Sequence, residues 1–297
     1  MRTGGISPKQ VARALGVSEA SVKRWADRGL LPATRTPGGH RRLPLSGVLE
    51  FLRQSAHPLV RPEVLGLPAA SGKGGVTLER ARADVQSALE AGDEERLRTR
   101  IFDLFLARHS VSEIGDRLIA PAFHELGCRW QHGALEIFQE RRAGEICARV
   151  LLELRRALPP PPAAGPRALG GTLEGDPYFL PSLLVETCLR QQGWHADALG
   201  VGLPGTTLAA AVRQVRPRLL WVSVSTLATI PDFFRQFDDL YETATGMGAA
   251  VVVGGRALTE EVRLRLRYSA HCDGLGHLVE FTRSLHPAAP PPGAESR

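Results

Sequence analysis

Four consecutive prolines, Pro159 to Pro162, constrain this 297-residue chain more than any other feature. Proline fixes φ and lacks an amide hydrogen, so neither a helix nor a central strand runs through such a tract, which behaves as a stiff spacer. The chain must fold as separate parts on either side, and the two sides differ in texture. From Thr77 to about Leu158 apolar residues recur at helical spacing, with breaks near Ala91-Gly92-Asp93, at His109-Ser110 and at Gly127–Gly133. That pattern predicts a four-helix bundle over 76–158.

From Arg167 onward the pattern alternates. Arg167–Leu173, His195–Leu199, Arg218–Val224 and Ala249–Val253 read as strands, with a weaker fifth at Ala270–Cys272. Leu180–Gln192, Leu208–Val215, Pro231–Gly246, Thr259–Arg267 and His277–Leu285 read as the intervening helices. Strand–helix alternation implies a flavodoxin-like α/β doubly wound parallel sheet over 167–286, whose ligands bind outside the carboxyl ends of the strands. Residues 159–166 form a Pro-rich linker, and 287–297 (PAAPPPGAESR) read as a disordered tail.

Residues 6–53 form a third, smaller part. Ser7 can N-cap a helix with Pro8 at its first position and Gln10 completing a capping box, and Gly16 ends it. Val11, Ala14 and Leu15 supply that helix's apolar face. Ser18 starts a second helix on which Val22 and Trp25 point inward, leaving Glu19, Ser21, Lys23 and Arg24 for a groove and its backbone. Pro37-Gly38-Gly39 permits a tight reversal that presents Arg35, Thr36, His40, Arg41 and Arg42 on a basic hairpin. This order predicts a winged helix-turn-helix over 1–55, followed by a linker over 56–75.

Charge agrees with that assignment. Residues 1–55 hold ten Lys/Arg against three acids, a net of +7, whereas the whole chain carries +6. The positive field is thus confined to the part that would meet phosphate, as counterion release requires. No apolar run approaches a membrane span and the N-terminus lacks a signal-peptide core, so a cytoplasmic bacterial protein is expected. Cys128, Cys147, Cys188 and Cys272 are scattered, which argues against a zinc site or disulfide framework; Cys147 and Cys188 read as core. Cys128 and His124 share a helix face, but no metal site is expected.

Val11-Ala12-Arg13-Ala14-Leu15-Gly16-Val17-Ser18, Val22-Lys23-Arg24-Trp25 and the Arg35–Arg42 hairpin resemble the winged-helix domain of the MerR superfamily. The resemblance implies that the second helix enters the major groove of double-stranded DNA with the wing beside it. The long dimerising helix usual in that family is missing, because His57-Pro58 and Pro62 follow soon after Phe51-Leu52. Self-association then falls to the bundle and the α/β domain.

The strand ends carry an ordered set: Asp176-Pro177-Tyr178-Phe179-Leu180-Pro181, then Ser225-Thr226-Leu227, then Gly254-Gly255. This resembles the cobalamin-binding domain pattern Asp-x-His-x-x-Gly, Ser-x-Leu, Gly-Gly. In the bundle, Trp130, nine residues, then Glu140-Arg141 resembles the Trp-x9-Glu-His of cobalamin-dependent regulators of the CarH type, and His132 lies beside Trp130. Both family His positions are replaced, by Tyr178 and Arg141, and Pro181 replaces a Gly. A phenol with pKa near 10 is a poor ligand unless deprotonated, so cobalamin ligation by a protein imidazole is not available. Three readings follow: cobalamin held without the usual His ligand, haem or another tetrapyrrole, or no ligand at all.

The resemblance implies a non-enzymatic transcriptional regulator whose oligomeric state and operator affinity are set by a ligand held between bundle and α/β domain. The alternatives are a ligand-independent DNA-binding regulator or scaffold with a degenerate cobalamin domain, and, last, a corrinoid carrier enzyme subunit.

Overall fold

The computed structural model describes residues 5–55, 57–69, 71 and 77–285. The chain divides at the proline tract into two compact units, Met1–Pro160 and Pro161–Arg297. The tail expected over 287–297 and residues 72–75 of the expected linker lie outside the described residues.

The first unit opens with α1 (Pro8–Leu15), built as its sequence dictates: Ser7 and Gln10 form the capping box, and Gly16 closes the helix at φ +69°. Ser18 caps α2 (Glu19–Asp27). The wing is β1 (Thr34–Arg35) paired antiparallel with β2 (Arg41–Arg42), and its base is fixed by the bridge between Ile6 and Leu43. Then α3 (Leu45–Ser55) packs its apolar face inward. Trp25 lies against Phe51 and His57, with ring centroids 4.9 Å from each.

The segment read as a linker is not a free spacer where it is described. The amides of Val60 and Arg61 both donate to the Ala14 carbonyl, at 2.8 and 2.9 Å. A short 3-10 helix at Pro62–Leu65 follows, and Leu59, Pro62, Leu65 and Leu67 are buried. Apolar residues among the prolines decide the matter: their burial outweighs the composition that suggests a tether.

The bundle has the four expected rods: α4 (Leu78–Ala91), α5 (Glu94–Leu106), a third rod and α8 (Ile137–Ala157). The third rod comprises α6 (Val111–Ile114), one π-type turn (Gly115–Ile119) and α7 (Ala120–Gln131). Pro121 has no amide hydrogen for the preceding turn, which accounts for the widened ladder there. The break expected over Gly127–Gly133 falls at its far end, at His132, so the helix runs through Gly127.

The end of α3 meets the end of α5 through an exchange of arginines. Arg53 donates to the carbonyls of Phe105 and His109, the latter at 3.3 Å, and its guanidinium lies 4.1 Å from the Phe105 ring centre. Arg108 donates back to the carbonyls of Arg53 and Gln54, the latter at 2.7 Å. Each cation satisfies the orphan carbonyls of the other helix and meets the negative end of its dipole. Arg108 does this from φ +73°, a conformation that usually calls for glycine.

The second unit contains one five-stranded parallel sheet in the order β4-β3-β5-β6-β7. Its strands are β3 (Arg167–Gly171), β4 (His195–Ala198), β5 (Leu219–Ser223), β6 (Ala250–Gly254) and β7 (Ala270–His271). The helices are α9 (Leu180–Gln191), α10 (Gly205–Val215), α11 (Ile230–Gly246), α12 (Glu260–Arg265) and α13 (Leu275–Leu285). One sheet face packs Leu169, Leu220, Val222, Val251 and Val253 against Leu208, Val212, Phe233, Phe237 and Leu240. On β3, a Cβ at Gly170 would collide with the Trp221 indole, so the glycine makes room for that ring. The indole donates to Ser182 Oγ at 3.4 Å. Strand order reverses between β3 and β5, the switch point where this topology opens a crevice.

Arg53→Ala is expected to lower the stability of the first unit by about 2 kcal/mol, since it leaves carbonyls at the α5 terminus without their cationic donor. Arg108→Gly should cost less than Arg108→Ala by about 1 kcal/mol, because it removes the backbone strain with the side chain. Urea unfolding followed by circular dichroism checks both.

Candidate functional site

On the helix-turn-helix and wing, where the sequence places the DNA-contacting residues, the structure separates residues that project from residues that hold others. Arg24 and Lys23 are exposed on α2. Lys23 pairs with Glu19 at 2.8 Å, and Arg24 reaches Ser21 Oγ at 3.4 Å, so Glu19 and Ser21 order the cations beside them. In the wing, Thr36 is a turn anchor: its hydroxyl accepts from the His40 amide at 3.2 Å and its carbonyl from the Gly39 amide at 2.8 Å. Arg35 and His40 are exposed, and Arg42 is half-buried. Arg41 donates to Asp27 Oδ1 at 2.5 Å and to the Lys23 carbonyl at 3.0 Å.

At the carboxyl edge of the sheet, Asp176 ties two loops together. It is buried, and its Oδ2 accepts from the Ser225 amide at 2.6 Å and the Thr226 amide at 3.4 Å. Its Oδ1 accepts from the Tyr178 amide at 3.1 Å. Burial pushes the Asp176 carboxyl above its ordinary range, opposed by these three amides and by Arg256. Thr172 completes the turn, donating to the Asp176 carbonyl at 2.6 Å and accepting from the Gly202 amide at 2.9 Å.

Tyr178 is half-buried, and the Arg256 guanidinium lies 5.5 Å from its ring centre. Arg256 Nε donates to the Ser225 carbonyl at 3.2 Å. Leu227 packs on the sheet core. Gly255 sits at φ +125°, and a Cβ there would run into the Val224 backbone; one at Gly254 would come within 2.8 Å of the Cys272 carbonyl. Both glycines are therefore required by the chain's own loops.

In the bundle, the joint between α7 and α8 presents Trp130, Ile137 and Phe138 to solvent, at 41%, 51% and 60% exposure. His132 Nδ1 lies 2.7 Å from the Cys128 carbonyl and so closes α7. Glu140 lies 3.5 Å from Arg141, which is exposed. Arg142 instead caps α4 through the Glu90 carbonyl at 3.0 Å.

Cys128 Sγ lies 3.7 Å from His124 Nε2, but among the described residues no group of three or more His, Cys, Asp or Glu could hold a metal ion. Burial raises the Cys147 thiol to about 12 and, with Asp273, Cys272 to about 11. No helix among the described residues is long and apolar enough to cross a membrane.

Asp27, Thr172, Arg256 and the exchange between Arg53 and Arg108 each bond to the elements that carry the candidate residues, and sequence reasoning missed each of them. Only Arg256 carries a local signal, its place directly after Gly254-Gly255.

A winged helix-turn-helix, a four-helix bundle and a doubly wound sheet with a stapled switch point define a multidomain DNA-reading protein with a ligand-type α/β fold. Comparison with known families agrees: a helix-turn-helix domain matches residues 6–56, and a B12 binding domain matches residues 81–155. The chain is similar to two proteins of Myxococcus xanthus. It is 27% identical to the HTH-type transcriptional repressor CarA over 86% of this chain and 88% of the relative. It is 27% identical to the HTH-type transcriptional repressor CarH over 88% and 92%. The structure of the Methanosarcina barkeri monomethylamine corrinoid protein superposes with a TM-score of 0.56 at 14% identity, covering 70% of this chain and all of that one; it speaks to the fold alone. The resemblance to MerR-type regulators with a cobalamin-binding-like domain thus extends over most of the chain.

Because its folded pKa is raised, Asp176 binds its proton more tightly in the fold than in the unfolded chain. Its contribution to stability therefore falls as pH rises through the folded value. The difference in urea midpoint, wild type minus Asp176→Asn, is expected to grow as pH is lowered from about 7 towards about 4.

Proposed function

We propose that this chain is a sequence-specific transcriptional regulator of double-stranded DNA operators, gated by a ligand of the tetrapyrrole class. The observation that carries this is the joining of a winged helix-turn-helix to a B12-binding-type helical domain, in a chain similar to two repressors over most of its length. Reading falls to α2 in the major groove, with the wing on the flanking backbone. Regulation acts through oligomeric state. The helix after the wing ends at Ser55 and the chain turns back onto α1, so association falls to the domains behind the reader. Several weak half-site contacts then add through effective concentration. A cytoplasmic location accords with this role.

The donor set at the sheet edge limits how a corrinoid can bind. Position 178 offers a phenol, the Asp176 carboxylate is turned onto the Ser225 and Thr226 amides, and the Arg256 cation lies beside Tyr178. Lower-face coordination by a protein imidazole at this position does not fit. The donor set favours a corrinoid that keeps its own base, or one held by apolar and amide contacts alone. On the bundle, described by itself, Trp130, Ile137 and Phe138 are exposed apolar side chains suited to contact a flat ring system. Haem or another tetrapyrrole is the second candidate.

A ligand-independent regulator or scaffold is favoured by a separate observation: Gly170, Gly254 and Gly255 are all accounted for by internal packing. A corrinoid carrier subunit ranks last, as both Myxococcus relatives, which match over most of the chain, are repressors.

Full-length protein is expected to enrich a duplex motif from a random library. Arg24→Ala and Arg42→Ala should weaken that binding, and each should flatten its salt dependence by about 0.9 for every phosphate left without its cation. Methylcobalamin, adenosylcobalamin, haem and biliverdin, tested by absorbance and size-exclusion chromatography, separate the readings: one should bind and shift the oligomeric state. If none binds while DNA binding persists, the ligand-independent regulator stands.

A further inference from the structure

A wing of two-residue strands cannot hold its own position. An isolated hairpin is marginal in water even at greater length, and this one has only the pairs Thr34–Arg42 and Arg35–Arg41. Its base is fixed by reciprocal 2.8 Å amide–carbonyl bonds between Ile6 and Leu43. Beyond that, the wing is tied to the reading helix by Arg41, whose guanidinium spans the last turn of α2 from the Lys23 carbonyl to Asp27 Oδ1. The Arg41 side chain is 18% exposed, while that of Asp27 is 60% exposed. An arginine so engaged has turned both terminal nitrogens of its planar fork onto the protein.

We propose that Asp27 and Arg41 form a positioning strut that sets the wing against the reading helix, and that DNA affinity requires the acid. This rests on the DNA-reading function above and reassigns Arg41 from a phosphate contact to a positioning residue. Side chains alternate along a strand, so pinning Arg41 onto α2 sends Arg42 to the opposite face of the ribbon. Arg35 and His40 are carried with it on the same small hairpin. Charge alone argues the other way. Asp27 is one of only three acids within residues 1–55, and an exposed carboxylate beside a phosphate backbone opposes binding. An acid tolerated there through Coulomb repulsion should be dispensable; an acid that holds the wing should not.

The test uses full-length protein, the selected duplex and fluorescence anisotropy across a salt series. Asp27→Asn raises the net charge by one, yet it is expected to weaken binding at least tenfold and to flatten the salt dependence. Asp27→Glu should recover most of the loss. Arg41→Lys keeps the charge without the fork and should fall nearly as far as Arg41→Gln. The double variant Asp27→Asn/Arg41→Gln should be no weaker than the worse single variant, because both remove one strut. Hydrogen exchange reads the strut without DNA: the Gly39 and His40 amides should exchange faster in Asp27→Asn while those of α1 are unchanged. Binding by Asp27→Asn as tight as wild type, or tighter, overturns the proposal, as does unaltered wing exchange. If the wild type enriches no duplex, the DNA-reading function fails instead, and the exchange result still decides the strut.

Discussion

Two helix ends that face each other must have their carbonyls satisfied, and in the first unit this requirement ties the DNA-reading domain to the bundle. The C-termini of α3 and α5 each present orphan carbonyls and the negative end of a dipole. Arg53 and Arg108 answer both at once, each serving the helix it does not belong to. The two like charges sit together because each is turned onto peptide carbonyls, and the Glu50 carboxylate lies 3.8 Å from Arg53. Burial of Arg53 lowers its pKa, with Arg108 adding to the effect and Glu50 opposing it. Together with the packed segment 57–69, the exchange gives the reader a fixed seat on the bundle instead of a free tether.

In the second unit, a buried carboxylate does similar work for loops. Asp176 stands after β3 and holds the amides after β5, bridging the switch point of the sheet. The arrangement keeps the general cradle of a doubly wound fold while committing both oxygens of this acid to backbone amides, that of Tyr178 among them. Arg256 then occupies the neighbourhood of Tyr178, anchored on the Ser225 carbonyl. The loops at this edge thus carry a cation beside the Tyr178 ring, which the motif residues alone do not reveal.

Most of the architecture is legible in the sequence because it rests on local rules. Ser7, Gln10, Gly16 and Ser18 dictate helix ends through hydrogen bonds a few residues long, and the five strands follow from short apolar runs between turn residues. What escapes is non-local. Arg53 and Arg108 are 55 residues apart, and Arg41 and Asp27 are 14 apart; nothing in either neighbourhood marks the pair. Composition misleads over the linker because it reports prolines but not the surface against which Leu59, Leu65 and Leu67 pack. Gly254 and Gly255 are legible as a motif but not as a role, since a glycine required by a close approach does not say what approaches.

The count of basic residues also carries two quantities that the structure separates. The long-range field of the reader depends on the net charge of residues 1–55, and internal pairing leaves that sum intact. Short-range contacts depend on which guanidinium groups remain turned outward. Arg53 is committed to α5, Arg41 to α2, and Lys23 shares its charge with Glu19. Arg24, Arg28 and Arg35 remain exposed, and Arg42 is half-buried on the same small domain. The net charge is thus a property of the whole domain, whereas short-range contact is left to the few cations that stay exposed. Arg41 and Arg53, by contrast, are turned onto the protein's own carbonyls and carboxylates.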